Sequence, residues 1–275
     1  MTENTLPDPY LTLRENLGRG EVAAFVGAGM SAGAGLPGWY RLISELSERI
    51  GRPMPPWEWA TAEALIDAAQ AYINQEGLHS LVMFLKQRLD TTGKVPTAAH
   101  RALTHLPISL VFTANYDNLL ERSYQDAGRP TQVIVRDGSI PYMRRDPGAV
   151  NIIKLYGDLE QEDTLVLARQ QYEGFFLQRP QMIKLLETEL ARTNMLYLGW
   201  SHSDPHFNLV FGELLARYGQ NARLGYAVMF DVSQDQQREL ERKHLRWVQF
   251  TPGGDRTAQL ATWLESLGGS PGAGV

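Results

Sequence analysis

Four segments of the chain carry glycines, amides, hydroxyls and carboxylates at spacings that suit chemistry on a phosphate-bearing ligand. They read GAGMSAG at 27–33, TANYD at 113–117, YGD at 156–158 and GWSHSD at 199–204. In the first segment Gly27, Gly29 and Gly33 would let backbone amides at a helix start approach a pyrophosphate closely. The spacing is one residue longer than the dehydrogenase fingerprint, so hydride transfer is a poor fit. Taken alone, the loop is typical of either a phosphate cradle or a plain tight turn.

Each of the four segments directly follows a short apolar run that predicts a buried β-strand. These runs are 21–26, 109–112, 152–155 and 195–198, and similar runs at 132–135, 226–230 and 247–250 predict further strands, the last at a sheet edge. Helical stretches separate most of the runs, which favours an α/β fold with a doubly wound, Rossmann-like parallel sheet and a helical cap. Because ligands bind at the carboxyl ends of the strands in such sheets, we expect the four segments to meet in one crevice.

The length of 275 residues suits one large domain or two small ones, and the hydrophobic content of 43% is enough for a sizeable core. We predict an N-terminal arm at 1–19, a single domain at 20–267 with a helical insertion at about 52–107, and a disordered glycine-rich tail at 268–275. The sequence shows no standard export signal and no stretch near the roughly 18 apolar residues of a membrane helix. We therefore expect a cytoplasmic protein without membrane contact.

The composition limits the chemistry that the chain can perform. It contains no cysteine, which rules out disulfides and thiolate metal sites. The net charge of -5 and the pI near 5.7 give no general attraction to phosphate backbones, so direct nucleic-acid binding is not expected. His202 and His206 predict a surface turn into a helix rather than a metal pair, because Pro205 intervenes and no third ligand is evident. His100 and His105 fall in a helical stretch and are expected at the surface or at an interface.

Taken in order, the stretches GAGMSAGAGLPGW, TANYD, KLYGD and LGWSHSDPHF resemble the sirtuin-like family, specifically its bacterial branch of NAD-hydrolysing domains used in antiviral defence. The resemblance spans about residues 20–210. It implies that the NAD pyrophosphate is held by Gly27, Ala28, Gly29 and Ser31, with Gly33 closing the loop. It implies that the nicotinamide and its ribose are lined by Asn115 and Asp117. It implies that the adenosine side is approached by Gly199, Ser201 and Asp204.

Three departures from the sirtuin pattern bear on the activity. The chain lacks the four-cysteine zinc ribbon of sirtuin deacylases, so we expect no zinc and no protein deacylation. Gly38-Trp39-Tyr40 replaces an acidic-aromatic-arginine triplet, so the loop that covers nicotinamide must work differently, with Trp39 as its candidate contact. Tyr156 stands where the family has a histidine that serves as a base for a ribose hydroxyl.

A tyrosine is protonated at neutral pH and makes a poor base, yet hydrolysis of the nicotinamide bond asks for less than deacylation. The leaving group is already cationic and departs neutral, and the transition state resembles an oxocarbenium ion. We expect Asn115 to hold the attacking water through its amide oxygen, and Asp117 or Asp158 to supply negative potential. The alternative is that Asn115 and Asp117 merely cap a helix and that Tyr156 simply packs at a strand end.

The sequence thus predicts an NAD glycohydrolase of bacterial antiphage defence that takes NAD as its substrate and yields ADP-ribose and nicotinamide. The resemblance implies regulation by assembly, either as a homo-oligomer or with a HerA-type hexameric ATPase. One alternative is a subunit that binds NAD or ADP-ribose without cleaving it, with Tyr156 as the mark of lost catalysis. Another is a nuclease subunit, whose metal would need the carboxylates of Asp158, Glu160, Glu162 and Asp163.

Overall fold

A computed structural model describes residues 10–200, 204–230, 232–250 and 253–268 of the chain. Within these ranges the strands are β1 (Val22–Val26), β2 (Leu110–Thr113), β3 (Thr131–Ile134), β4 (Val150–Lys154), β5 (Asn194–Leu198), β6 (Gly225–Met229) and β7 (Leu245–Gln249). The helices are α1 (Leu11–Gly18), α2 (Gly29–Ala32), α3 (Trp39–Arg49), α4 (Ala62–Glu76), α5 (Leu78–Arg88), α6 (Ala98–Thr104), α7 (Leu119–Asp126), α8 (Arg169–Gln178), α9 (Pro180–Arg192), α10 (Pro205–Tyr218), α11 (Gln234–Arg242) and α12 (Arg256–Gly268). Short 3-10 turns occupy Asp137–Tyr142, Glu162–Thr164 and Gly219–Asn221.

The strands of the described ranges form one sheet in the order β3-β4-β2-β1-β5-β6-β7, and every neighbouring pair is parallel. After β1 the chain adds β2, β3 and β4 on one side, with β4 between β2 and β3, and then adds β5, β6 and β7 in order on the other side. The strand order therefore reverses next to β1, which is where open α/β sheets bind ligands. The predicted doubly wound parallel sheet is confirmed, and the predicted edge strand at 247–250 corresponds to β7.

Four strands end in one row at the carboxyl edge of the sheet. Val26 pairs with Thr113 on one side and with Leu198 on the other, and Thr113 pairs in turn with Lys154. The loops that follow β1, β2, β4 and β5 therefore leave the sheet side by side. This register brings together the segments that the sequence predicted to share a crevice.

Helices cover both faces of the sheet because the central strands are apolar on both sides. Ala23 and Phe25 of β1 face the cluster formed with α8, α9 and α10, while Ala24 and Val26 face the cluster formed with α1, α6, α7 and α12. All five residues of β1, β4 and β5 are buried. Continuous apolar burial of this kind explains why these strands were recognisable as runs rather than as alternating patterns.

The helical cap is built from α3, α4 and α5 around its own apolar cluster, which also includes Leu159, Leu165 and Leu167 from the loop after β4. Ion pairs fix the cap to the sheet domain: Lys86 contacts Glu162 at 2.6 Å, and Arg169 contacts Glu63 at 2.6 Å. Helix α6 lies within the segment expected as a helical insertion but packs under the sheet against α12. The cap therefore sits beside the carboxyl edge of the sheet.

The ends of the chain are described in part. Residues 10–19 of the expected N-terminal arm contain α1, whose Leu13 and Leu17 are buried in the core, whereas residues 1–9 lie outside the described residues. Gly268 ends α12, and the rest of the expected tail also lies outside them. No helix in the described part of the chain is long and apolar enough to cross a membrane.

His100 is fully buried in α6, contrary to the expectation of a surface or interface residue. Its Nδ1 accepts the backbone N–H of Thr97 at 3.2 Å, and the amide of His100 donates to Thr97 Oγ1, which forms a capping box at the start of the helix. Its Nε2 is buried, and none of the described residues offers it a hydrogen bond. Burial, with a smaller contribution from Arg101, lowers the pKa of His100 to about 4, so the folded protein holds the imidazole neutral.

Candidate active site

The glycine loop after β1 lies against the turn after β5 through main-chain atoms. The amide of Gly27 donates to the Leu198 carbonyl at 2.9 Å, and the amide of Gly29 donates to the Gly199 carbonyl at 2.8 Å. A Cβ at Gly27 would lie 2.6 Å from Gly199 O, and a Cβ at Gly199, which has φ +63, would lie 2.2 Å from Met30 N. These positions require glycine because two loops of the chain touch here, and the amides of Gly27 and Gly29 hold those loops together.

The other residues predicted to bind the cofactor around the glycine loop differ in burial and in the elements that they contact. Ala28 precedes α2 and Ser31 is buried within it. Gly33 faces the C-terminal helix, because a Cβ there would lie 2.3 Å from Thr257 Oγ1, so helix packing explains this glycine. Trp39 begins α3, where it packs between the sheet core and the cap. Ser201 lies outside the described residues.

Ser31, Asn115 and Asp117 form a buried chain of hydrogen bonds. Asn115 Nδ2 donates to Ser31 Oγ at 3.3 Å, and Ser31 Oγ donates to Asp117 Oδ1 at 3.2 Å. Asn115 Oδ1 is buried and has no hydrogen-bond partner among the residues that the structure describes. Because the amide nitrogen is committed to Ser31, the orientation of the amide is fixed and its oxygen remains as an acceptor for a bound molecule.

Asp117 has a structural role as well as its place in this chain. Its Oδ1 accepts the backbone N–H of Leu119 at 3.1 Å, so it caps the first turn of α7 as the alternative interpretation expected. Burial raises the pKa of Asp117, although the Leu119 amide, Lys154 and Ser31 each oppose that shift. The carboxyl group of Asp117 is therefore linked to the amide nitrogen of Asn115 through Ser31 Oγ.

Tyr156 packs in an aromatic cluster and also makes a polar contact. Its ring stacks on Tyr172 at 5.6 Å between centroids and tilts against Phe175 at 5.2 Å. Its hydroxyl hydrogen-bonds with the carboxyl group of Asp204, which also accepts the Phe207 amide at 3.1 Å and caps α10. Burial, followed by the nearby Asp204, raises the pKa of Tyr156 well above its ordinary value, so the phenol stays neutral and donates.

His206 belongs to the same aromatic cluster. It lies in the first turn of α10, which confirms the predicted entry into a helix, but the ring is not on an open surface. It stacks on Phe175 at 4.4 Å and on Tyr172 at 4.5 Å between centroids. Burial lowers the pKa of His206 to about 4. Its predicted neighbour His202 lies outside the described residues.

Lys154 is a site residue that the sequence analysis did not select. The side chain is fully buried at the end of β4, and its Nζ lies 2.6 Å from Asp158 Oδ2 and 2.9 Å from Glu121 Oε1. Asp158, expected to supply negative potential to the sugar, is thus engaged in an ion pair. The signal in the sequence was a lysine within the apolar run Ile152-Ile153-Lys154-Leu155, three residues before Gly157.

The carboxylates that a nuclease metal would need form ion pairs with different basic residues. Glu162 pairs with Lys86 at 2.6 Å and Asp163 pairs with Arg136 at 2.7 Å, while Asp158 pairs with Lys154. Among the residues that the structure describes, no three His, Cys, Asp or Glu side chains are grouped to hold a metal ion.

Comparison with known proteins connects this geometry to a family. A family model of the SIR2-like domain matches residues 109–248, just over half of the chain. A protein named NAD(+) hydrolase ThsA from Acinetobacter baumannii (strain 532279) is 28% identical over 213 residues, covering 77% of this chain and 42% of that protein. The protein of the same name from Cytobacillus dafuensis is 27% identical over 222 residues, covering 80% of this chain and 43% of that protein. Defense-associated sirtuin 2 of Bacillus subtilis is 22% identical over 213 residues, covering 76% and 21%.

The chain thus spans less than half the length of these relatives. Solved sirtuin structures share its fold. The structure of Sir2Tm bound to a propionylated peptide matches with a TM-score of 0.52 at 13% identity, covering 95% of this chain and 99% of that chain. A second, on the structural basis of sirtuin substrate affinity, matches with a TM-score of 0.51 at 14% identity, covering 94% and 99%. At such identities the likeness shows the fold alone.

Proposed function

The chain belongs to the family of SIR2-like domains, and from this premise we propose that it hydrolyses NAD to ADP-ribose and nicotinamide. The relatives named NAD(+) hydrolase ThsA support this activity over most of the chain. The proposed binding place is the carboxyl edge of the sheet beside β1, where the strand order reverses.

The observation that carries the proposal is the fixed amide of Asn115. Its nitrogen donates to Ser31, and its buried oxygen has no hydrogen-bond partner within the described ranges of the chain. A water that donates one hydrogen to this oxygen keeps a lone pair free to attack the ribose carbon that bears nicotinamide. A carbon–oxygen bond forms from the water while the carbon–nitrogen bond breaks, with its electron pair passing to the pyridinium nitrogen. Nicotinamide leaves neutral, and the added water releases one proton to the solvent. Asp117 stabilises the positive charge that develops on the sugar when its carboxyl group is ionised.

Tyr156 contributes shape and a hydrogen-bond donor rather than a base. Its hydroxyl is bonded to Asp204, and its raised pKa keeps it protonated. Departure of nicotinamide needs no general acid, because the leaving group carries its positive charge before the bond breaks. The reaction therefore remains possible with tyrosine at the position of the family's histidine. The missing base typically raises the rate by about 10²- to 10⁴-fold, so we expect a slower enzyme.

Nicotinamide release from NAD by the purified protein, followed by liquid chromatography, tests the proposal. Asn115→Ala is expected to lower the rate by at least about 10²-fold, because the attacking water loses its acceptor. Asn118→Ala is a matched control: this exposed amide lies three residues away and accepts a hydrogen bond from Thr91 Oγ1. Equal rates for wild type and Asn115→Ala would contradict the role of Asn115.

One specific contact favours a second function, a subunit that binds NAD or ADP-ribose without cleaving it. The bond between Tyr156 and Asp204 engages the side chain that stands in place of the base. Calorimetric titration with ADP-ribose and NAD separates the two functions. Tight binding without nicotinamide release, unchanged in Asn115→Ala, would favour the binding subunit.

We further infer a place in bacterial antiphage defence with regulation by assembly, as the resemblance implies. An enzyme that depletes NAD harms the cell that makes it, so its activity needs a trigger. The relative named Defense-associated sirtuin 2 supports the setting. Trp57 and Trp59 are 65% and 78% exposed in the loop before α4, which suits contact with another chain. Mass measurement of the protein alone and after co-expression with a HerA-type hexameric ATPase tests both forms of assembly.

A further inference from the structure

Lys154 is buried in an unusual environment for a lysine. It is the last residue of β4, and no part of its side chain is exposed. Besides Glu121 and Asp158, its Nζ contacts two main-chain carbonyls, donating to Tyr116 O at 3.1 Å and to Asp117 O at 2.9 Å. A single ammonium group therefore meets four oxygen atoms from three segments of the chain.

Stability alone is a weak explanation for this cluster. Burial disfavours the charge on Lys154, and the nearby carboxylates of Glu121 and Asp158 more than compensate, so its pKa is raised overall. Glu121 remains incompletely paired, because its Oε2 is buried and no described residue forms a hydrogen bond with it. Apolar side chains of similar volume can often replace a buried ion pair with no loss of stability. The charged groups around Lys154 therefore suggest a role in positioning the segments that they contact.

The carbonyls that Lys154 holds belong to the turn between β2 and α7, the turn that carries Asn115 and Asp117. The contact with Glu121 adds the first turn of α7 to the same anchor. The geometry points to Lys154 as a positioning residue, which binds the Asn115–Asp117 turn to the end of β4 and so sets the place of the Asn115 amide. This inference rests on the proposed NAD hydrolysis for its catalytic consequence, but the tethering itself concerns the protein alone.

The test compares Lys154→Met/Glu121→Gln with Glu121→Gln. Methionine removes the donors, and glutamine removes the Glu121 carboxylate that would otherwise lose its partner. Asp158 also loses the ammonium, but its side chain is 16% exposed and keeps the Glu160 amide as a donor at 2.8 Å. Glu121→Gln keeps the ammonium and both carbonyl contacts. We expect kcat for nicotinamide release to fall about 10- to 100-fold in the double variant, with KM for NAD changed less than about threefold, because a displaced catalytic group slows the reaction more than it weakens binding. Glu121→Gln is expected to keep the wild-type kcat.

Hydrogen–deuterium exchange without NAD provides a readout independent of activity. Amides of residues 113–120 are expected to exchange faster in the double variant than in Glu121→Gln, while the central strand β1 exchanges equally in both. Unchanged exchange in 113–120, or faster exchange throughout the sheet, would overturn the positioning role. If wild type and Glu121→Gln both release no nicotinamide, the proposed function fails, and the exchange comparison alone decides whether Lys154 positions the turn.

Discussion

With glutamine in place of His100, the protein is expected to lose less stability than wild type when the pH falls. The imidazole is fully buried, and its pKa is lowered from 6.5 to about 4. In the unfolded chain it binds a proton as the pH falls below 6.5, whereas in the folded protein it resists protonation until about pH 4. The unfolded state therefore binds more protons in this range, and the free energy of unfolding falls as the pH falls.

The magnitude follows from the two pKa values. With each unit worth about 1.4 kcal/mol, His100 removes about 2 kcal/mol at about pH 5 and about 3 kcal/mol at about pH 4, relative to neutral pH. Glutamine cannot titrate, and its side-chain oxygen can still accept the Thr97 amide, since glutamine is a usual partner in the capping box. The variant is thus expected to lose about 2 kcal/mol less than wild type between about pH 7.5 and pH 5.

Urea unfolding followed by tryptophan fluorescence at several pH values measures this difference. The comparison uses the change in the free energy of unfolding with pH rather than its absolute value. The packing effect of the substitution is the same at each pH and therefore cancels. His105→Gln is the matched control, because that side chain is exposed on the next turn of the same region. His206, with a pKa also near 4, leaves part of the acid sensitivity in place. The reasoning would be refuted if wild type and His100→Gln lost the same free energy of unfolding between about pH 7.5 and pH 5.

Two further substitutions test contacts around the site, both by urea unfolding. Gly199→Ala is expected to destabilise the protein by more than the cost of a left-handed backbone, about 1–2 kcal/mol, because the new Cβ would also meet Met30 N. Gly20→Ala is the control for the backbone cost alone, because Gly20 has φ +68 and no described atom lies within 4 Å of its Cβ position. Equal losses of stability in the two variants would argue against the loop contact. Tyr156→Phe is expected to lower stability by about 1–3 kcal/mol, because buried Asp204 loses a donor, and this loss should shrink when Asp204→Asn is already present.

Much of the scaffold could be predicted from the sequence for a simple physical reason. A strand buried on both faces reads as an apolar run, and β1, β4 and β5 are such strands. Parallel strands end at a common edge, so polar segments that follow them can be placed together without knowledge of the strand order. The meeting of Ser31, Asn115 and Asp117 follows from that rule.

Contacts between side chains distant in sequence could not be predicted in the same way. His100 has the polarity of a surface residue, and only the packing of α6 against α12 shows that it is buried. The bond between Tyr156 and Asp204 depends on where α10 begins relative to β4. Lys154 ends an apolar strand, but its burial is possible only because Glu121 and Asp158 approach from two other segments.

The main-chain contact between Gly29 and Gly199 also connects distant parts of the molecule. Within the sheet, β6 and β7 are joined to the remaining strands through β5, and the turn that ends β5 is bonded to the loop that leads to Ser31. A neighbouring chain that displaces this outer pair of strands would therefore shift Ser31 and its hydrogen-bonded partner Asn115 through backbone atoms, with no intervening side chain.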